Sequence, residues 1–160
     1  LISRKLPLPY NPEAGFGAVA EDGSTFIIEN AALGLDRKVI DEIIKDQKAE
    51  IERRKLVLRK NKPLPPIENK TVILTDDGIA MGSTMNAAIK MIKKQNPKQI
   101  VVASPVASSQ VAKDIDKCVD DTVILSKPSH FQAVAQVYEN WYDVPDEEVI
   151  EIMDKWKMVS

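Results

Sequence analysis

Two adjacent acids, Asp76 and Asp77, close an apolar run and open a loop of Gly78, Ile79, Ala80, Met81, Gly82, Ser83 and Thr84 that leads into a helical pattern. In open α/β sheets, ligands bind at the carboxyl ends of strands. The unpaired N–H groups and positive macrodipole end of a following helix hold anions there, and glycine lets the backbone close around them. Gly78, Gly82, Ser83 and Thr84 therefore read as a cradle for one phosphate group. Two carboxylates beside a phosphate would be repelled by it, so Asp76 and Asp77 fit acceptance of hydrogen bonds from sugar hydroxyls, or proximity to Mg2+. A phosphorylated sugar satisfies both halves.

Other chemistries fit the same residues less well. A nucleotide P-loop requires Gly-x-x-x-x-Gly-Lys-Ser/Thr, whereas Gly78 and Gly82 are separated by three residues and Ser83 stands where lysine is needed. The dinucleotide fingerprint Gly-x-Gly-x-x-Gly is absent, and a phosphatase using paired aspartates wants Asp-x-Asp spacing. A plain β-to-α turn, with Ser83 or Thr84 capping the next helix, uses the same residues.

The elements that must position this loop are legible from periodicity. Thr71–Thr75 reads as a strand, Ser83–Gln95 as a helix with Met85, Ala88, Ile89 and Ile92 inward, and Gln99–Ala103 as the next strand. A helix capped by Ser108 or Ser109 runs through Lys117, and Thr122–Leu125 is a further strand. This β-α-β-α-β rhythm at 70–126 predicts an α/β fold, a mostly parallel sheet flanked by helices. Upstream, positions 1–35 read as loop and hairpin. Leu6–Pro12 holds three prolines in seven residues and reads as a loop, and Asp22-Gly23 turns a hairpin between Phe16–Ala20 and Thr25–Ile28. Positions 36–62 form a long helix with Val39, Ile40, Ile43, Ile44, Ile51 and Leu58 on one face and Asp41, Lys45, Lys48, Glu52 and Arg53 on a solvated one; Pro63, Pro65 and Pro66 follow as a stiff connector. At 127–160, Val134, Val137, Tyr138, Trp141, Val149, Ile152 and Trp156 predict two short helices whose aromatics pack in the core. One domain spans 1–160.

Composition narrows the partners. Lys and Arg number 22 against 24 Asp and Glu, which gives no general attraction for nucleic acid, and no apolar run approaches a membrane span. The single cysteine, Cys118, reads as a packed or half-exposed thiol and points to a reducing, cytoplasmic setting. The chain opens at Leu1 within an apolar-basic segment, so an N-terminal piece is expected to precede it.

The run Val72-Ile-Leu-Thr-Asp-Asp-Gly-Ile-Ala-Met-Gly-Ser-Thr-Met85 resembles the phosphoribosyl pyrophosphate (PRPP) motif of type I phosphoribosyltransferases. Arg4-Lys5-Leu6, Asn11-Pro12-Glu13, Gly17–Ala20, Ser104–Ala107 and the tail from Phe131 to Val149 look like a subfamily of predicted phosphoribosyltransferases, so the likeness spans nearly the whole chain. It implies a pentosyltransferase of nucleotide metabolism that moves phosphoribosyl from PRPP to a purine or pyrimidine base, with Mg2+ as cofactor. Asp76 and Asp77 would contact the ribose hydroxyls directly or through Mg2+, and Ile79 to Thr84 would wrap the 5′-phosphate. Arg4 and Lys5 would supply catalytic positive charge over the pyrophosphate, the Leu6–Pro12 loop and hairpin would form a cover, and His130 or Phe131 would face the base. Met81 stands where the family usually has threonine, a loss of ~0.5–1.5 kcal/mol if unreplaced. Ala80 replaces the acid of some purine-salvage members, so no general base is assigned. The pyrophosphate loop of the family follows a strand earlier than Leu1. A non-catalytic or regulatory PRPP-binding domain is the alternative, and the long helix and aromatic tail offer surfaces for a homodimer.

Overall fold

The computed structural model describes residues 1–131 and 133–155. Trp156 of the expected tail lies outside the described residues. Two three-stranded sheets are stacked about a shared helix. The first sheet is antiparallel, in the order β1 (Ser3–Leu8), β2 (Asn11–Ala20), β3 (Thr25–Ile27). The second is parallel, in the order β4 (Thr71–Thr75), β5 (Gln99–Val106), β6 (Asp121–Ser126). A short helix α1 (Glu29–Ala32) and the long α2 (Arg37–Arg59) lie between the sheets in sequence, and α3 (Ser83–Lys93) and α4 (Ser109–Asp116) form the parallel crossovers. A 3-10 turn at Val134–Val137 and the helix α5 (Asp146–Lys155) end the described chain.

The first strand corrects the sequence reading of Leu6–Pro12 as a loop. Leu6 pairs with Gly17 and Leu8 with Asn11. Proline is tolerated because β1 is an edge strand and the ladder shifts register on both sides of Pro7, where the missing N–H would otherwise break it. The Asp22-Gly23 turn forms as expected. Gly23 adopts φ +85°, and the Asp22 carboxylate accepts from the Ser24 amide and hydroxyl at 2.7 Å each.

The long helix begins at the Asp36 cap, whose side chain accepts from the Lys38 amide at 2.8 Å. It ends where Lys60 turns left-handed and donates its N–H to Leu56. Its apolar stripe packs Ile40, Ile43, Ile44 and the buried Ile51 against Leu6, Phe16 and Val19. The charged face is laced with local ion pairs such as Arg37–Asp41 and Lys55–Glu52.

Helix α3 is the keystone. The sequence predicts one inward face, and Met85, Ala88, Ile89 and Ile92 do pack on the parallel sheet with Leu74, Ile100 and Val102. Ala87 and Met91 are buried as well, against Ala18 and Ala20 of the antiparallel sheet. The successive layers are therefore α2, antiparallel sheet, α3 and parallel sheet. Small alanines at Ala18, Ala20, Ala87 and Ala88 allow this helix to lie close to strands on both sides. Helix α4 adds Ala112 and Ile115 to the same face of the parallel sheet, and on the opposite face Ile73, Val123 and Leu125 remain exposed.

The layering sets an expected contrast in stability. Ile115→Ala, at a fully buried position, lowers unfolding free energy by about 2–5 kcal/mol in urea titrations. Leu125→Ser, at a position 81% exposed, changes it by less than about 0.5 kcal/mol.

Candidate functional site

Strand β4 delivers the two acids to the rim of the parallel sheet. Thr75 is its last residue and pairs with Ala103, and the Asp76 amide still reaches the Ala103 carbonyl at 3.4 Å. Both acids lie on the exposed rim rather than in the interior. The chain then dives, since Gly78 and Ile79 are buried. Ile79 is pinned by an isolated parallel bridge, donating its N–H to Val106 at 2.9 Å and accepting from the Ser108 amide at 3.3 Å. Strand β5 can do this because it continues three residues beyond the Gln99–Ala103 span read from sequence.

From that anchor the chain climbs into α3. Gly82 is the N-cap residue, in a left-handed conformation at φ +74°, and α3 has no side-chain cap. The plain capping role for Ser83 or Thr84 is therefore not adopted. A Cβ at Gly82 would lie 2.7 Å from a Val111 methyl carbon, so both conformation and space require glycine. The amides of Ala80, Met81, Gly82, Ser83, Thr84 and Met85 find no acceptor among the described residues. Six successive donors at the positive end of a helix make a concavity whose chemistry suits an anion. Ser83 is buried within it, and Met81 stands out, 49% exposed.

Asp76 and Asp77 interact with each other. The Asp77 amide donates to the Asp76 carboxylate at 3.0 Å. Crowding around its carboxyl and, second, the negative charge of Asp77 push the Asp76 pKa up to about 6 from 3.8, although the residue keeps an edge in solvent. Two depressions meet at Asp76. One, of about 430 Å3, runs along Ile73, Thr75 and Thr84 beneath Leu64. The other, of about 660 Å3, is floored by Ala103, Pro105, Val123 and Leu125 beside Asp77.

The basic pair of β1 is split by strand alternation. Arg4 faces α2, where its Nε donates to Gln47 at 3.2 Å. Lys5 shares its face with Ser3, whose hydroxyl donates to the Thr84 carbonyl at 3.0 Å, and the Lys5 ammonium donates to the Glu13 carbonyl at 2.7 Å in the β1–β2 hairpin. Of the two, Lys5 lies on the side of the α3 N-terminus.

His130 is exposed and Phe131 half-buried. The aromatic that reaches the acids is Tyr138, whose hydroxyl donates to the Asp77 carbonyl at 2.6 Å. Sequence periodicity assigned Tyr138 and Trp141 to the core, yet Trp141 is 45% exposed and its ring lies 5.5 Å from that of Tyr138. The available signal was tyrosine in place of phenylalanine, since a half-buried phenol seeks a polar partner.

Residues 24–140 match the family described as phosphoribosyl transferase domain, so the chain belongs to that family, one of transferases. Two Mycobacterium tuberculosis relatives, named "Putative phosphoribosyl transferase MT0597" and "Putative phosphoribosyl transferase Rv0571c", are each 31% identical over 157 residues, covering 97% of this chain and 35% of their own length. The chain thus spans about a third of the curated relatives it matches. The crystal structure of TT1426 from Thermus thermophilus superposes with a TM-score of 0.72 at 32% identity, covering 96% of this chain and 74% of that one. The α/β architecture expected from sequence is thereby shown. Among the described residues no helix is long and apolar enough to cross a membrane.

The environment of Asp76 has a measurable signature. Its raised pKa means that between about 3.8 and 6 the native state binds more protons here than the unfolded chain does, so this group's contribution to stability falls as pH rises through that window. Asp76→Asn removes that penalty: its melting temperature exceeds wild type at pH 7.5, and the gain vanishes toward pH 4. Gly82→Ala lowers stability by about 1–3 kcal/mol at all pH values, read by chemical denaturation.

Proposed function

We propose that this domain binds PRPP, with the 5′-phosphate on the amides of Ala80 to Met85 and the ribose hydroxyls on Asp76 and Asp77, and transfers phosphoribosyl to a nitrogen of a purine or pyrimidine base. The observation that carries this reading is the run of acceptor-free amides directly after two rim carboxylates. An anion alone would account for the amides and leave the acids opposed to it. A phosphorylated sugar uses both.

In this reaction the bond from the sugar's anomeric carbon to pyrophosphate breaks and its electron pair leaves with pyrophosphate. The acceptor nitrogen forms the new bond and its proton passes to solvent, since Ala80 leaves no acid or base in the loop. The transition state places positive charge on the sugar, and the carboxylates of Asp76 and Asp77 lie on the side where that charge develops. The α3 amides hold the phosphate end and so fix the distance between sugar and acids. The apolar floor of Ala103, Pro105, Val123 and Leu125 suits the face of a planar base beside Asp77.

Among the described residues no group of three or more His, Cys, Asp or Glu surrounds a metal position. Asp76 and Asp77 do fit Mg2+ as one or two oxygen ligands to an ion shared with substrate phosphates, and the ion would supply charge neutralisation of the leaving group. Lys5 is the better-placed basic partner for that group, and the β1–β2 hairpin, with Tyr10 fully exposed near its tip, is the better-placed cover. The half-buried thiol of Cys118 accords with a reducing, cytoplasmic setting.

Titration calorimetry tests the reading. Wild type binds PRPP in the presence of Mg2+, and the double variant Asp76→Asn, Asp77→Asn binds at least about tenfold more weakly while remaining folded. Unchanged affinity in that variant overturns the assignment. The protein, supplied with PRPP, Mg2+ and a panel of bases, releases pyrophosphate with at least one of them. Binding without release across the panel identifies a regulatory domain instead.

A further inference from the structure

The segment after β6 crosses the acid loop at two consecutive residues. Tyr138 donates its hydroxyl to the Asp77 carbonyl at 2.6 Å, and Val134 lies so close over Gly78 that an added Cβ there would meet the valine methyl carbons at 2.6 and 2.8 Å. Both ends of the 77–78 peptide are thus held by one strap. The preceding peptide is held differently, through the Asp77 amide bonded to the Asp76 carboxylate at 3.0 Å. With the peptide groups on either side restrained, the two soft rotations of the Asp77 backbone are limited, and the direction of its Cα–Cβ bond, from which the carboxylate extends, is set before any ligand arrives. The Tyr138 ring lies 5.5 Å from that of Trp141, and it lines one depression with Pro105 and Val137 at the end of β5.

We propose that Tyr138 is a positioning residue that orients the Asp77 carboxylate toward the sugar hydroxyls, acting through the Asp77 carbonyl and not through contact with the phosphate. This rests on the phosphosugar reading of the site. The phosphate end of the site depends on different supports, namely the Ile79 bridge to β5 and the burial of α3, neither of which involves Tyr138. Sugar recognition and phosphate recognition are therefore separable.

The separation can be read with two probes and one conservative variant. Tyr138→Phe keeps the ring and removes only the donor. Amide NMR titrations of wild type and Tyr138→Phe are run with inorganic phosphate, which engages the cradle alone, and with ribose 5-phosphate, which engages cradle and acids. Wild type is expected to bind both and to hold ribose 5-phosphate more tightly. The variant is expected to bind phosphate as wild type does and to bind ribose 5-phosphate about two- to tenfold more weakly, the loss of one hydrogen bond's worth of orientation. Equal affinities of variant and wild type for both probes overturn the proposal, and so does a parallel loss for both probes, which would mark Tyr138 as merely structural. If wild type binds phosphate but gains nothing from the ribose, or binds neither, the phosphosugar reading itself fails and takes this inference with it.

Discussion

The placement of one helix end governs this structure. Helix α3 is buried on two sides, by the parallel sheet through Met85, Ala88, Ile89 and Ile92 and by the antiparallel sheet through Ala87 and Met91. A helix held that way cannot slide or tilt without opening two cores at once, which close packing makes unfavourable. Its first turn is therefore a fixed array of N–H groups, and the residues before it must reach it from the rim of β4 along a set path. Ile79, buried and bridged to β5, defines that path, and the left-handed Gly82 makes the last bend.

The site carries the marks of a surface kept for a ligand at some expense of stability. Asp76 and Asp77 stand side by side in a place where one of them resists ionisation, and six amides lack acceptors although α3 is otherwise well packed. Either feature alone could be relieved by ordinary substitutions, an asparagine in one case or a serine N-cap in the other. Their coincidence over ten residues is what a molecule with hydroxyls at one end and an anion at the other would use.

Much of this was readable from the chain. The apolar run Val72–Leu74, the acids and the glycine loop located the rim of β4 and the turn into α3, because a strand, a turn and a helix start each have local signatures. The α3 periodicity gave one buried face correctly. It could not give the second, because Ala87 and Met91 are small or adaptable residues whose burial depends on a sheet contributed from far upstream. The loop reading of Leu6–Pro12 failed for a related reason: proline forbids a central strand but not an edge strand with register shifts, and edge status is a property of the assembled sheet. Strand alternation separated Arg4 from Lys5, a consequence visible only once β1 was known to be a strand. Tyr138 was legible as an aromatic at helical spacing but not as a donor to Asp77, since that contact joins residues 61 apart in sequence.

The central claim is that the α3 amides and the rim acids receive opposite ends of one molecule. A crystal structure with PRPP and Mg2+ bound tests it most directly. The account predicts the 5′-phosphate oxygens within about 3 Å of several N–H groups between Ala80 and Met85, with the ribose hydroxyls or a shared Mg2+ on Asp76 and Asp77. Phosphosugar bound elsewhere, or bound with its phosphate turned away from the start of α3, would contradict it.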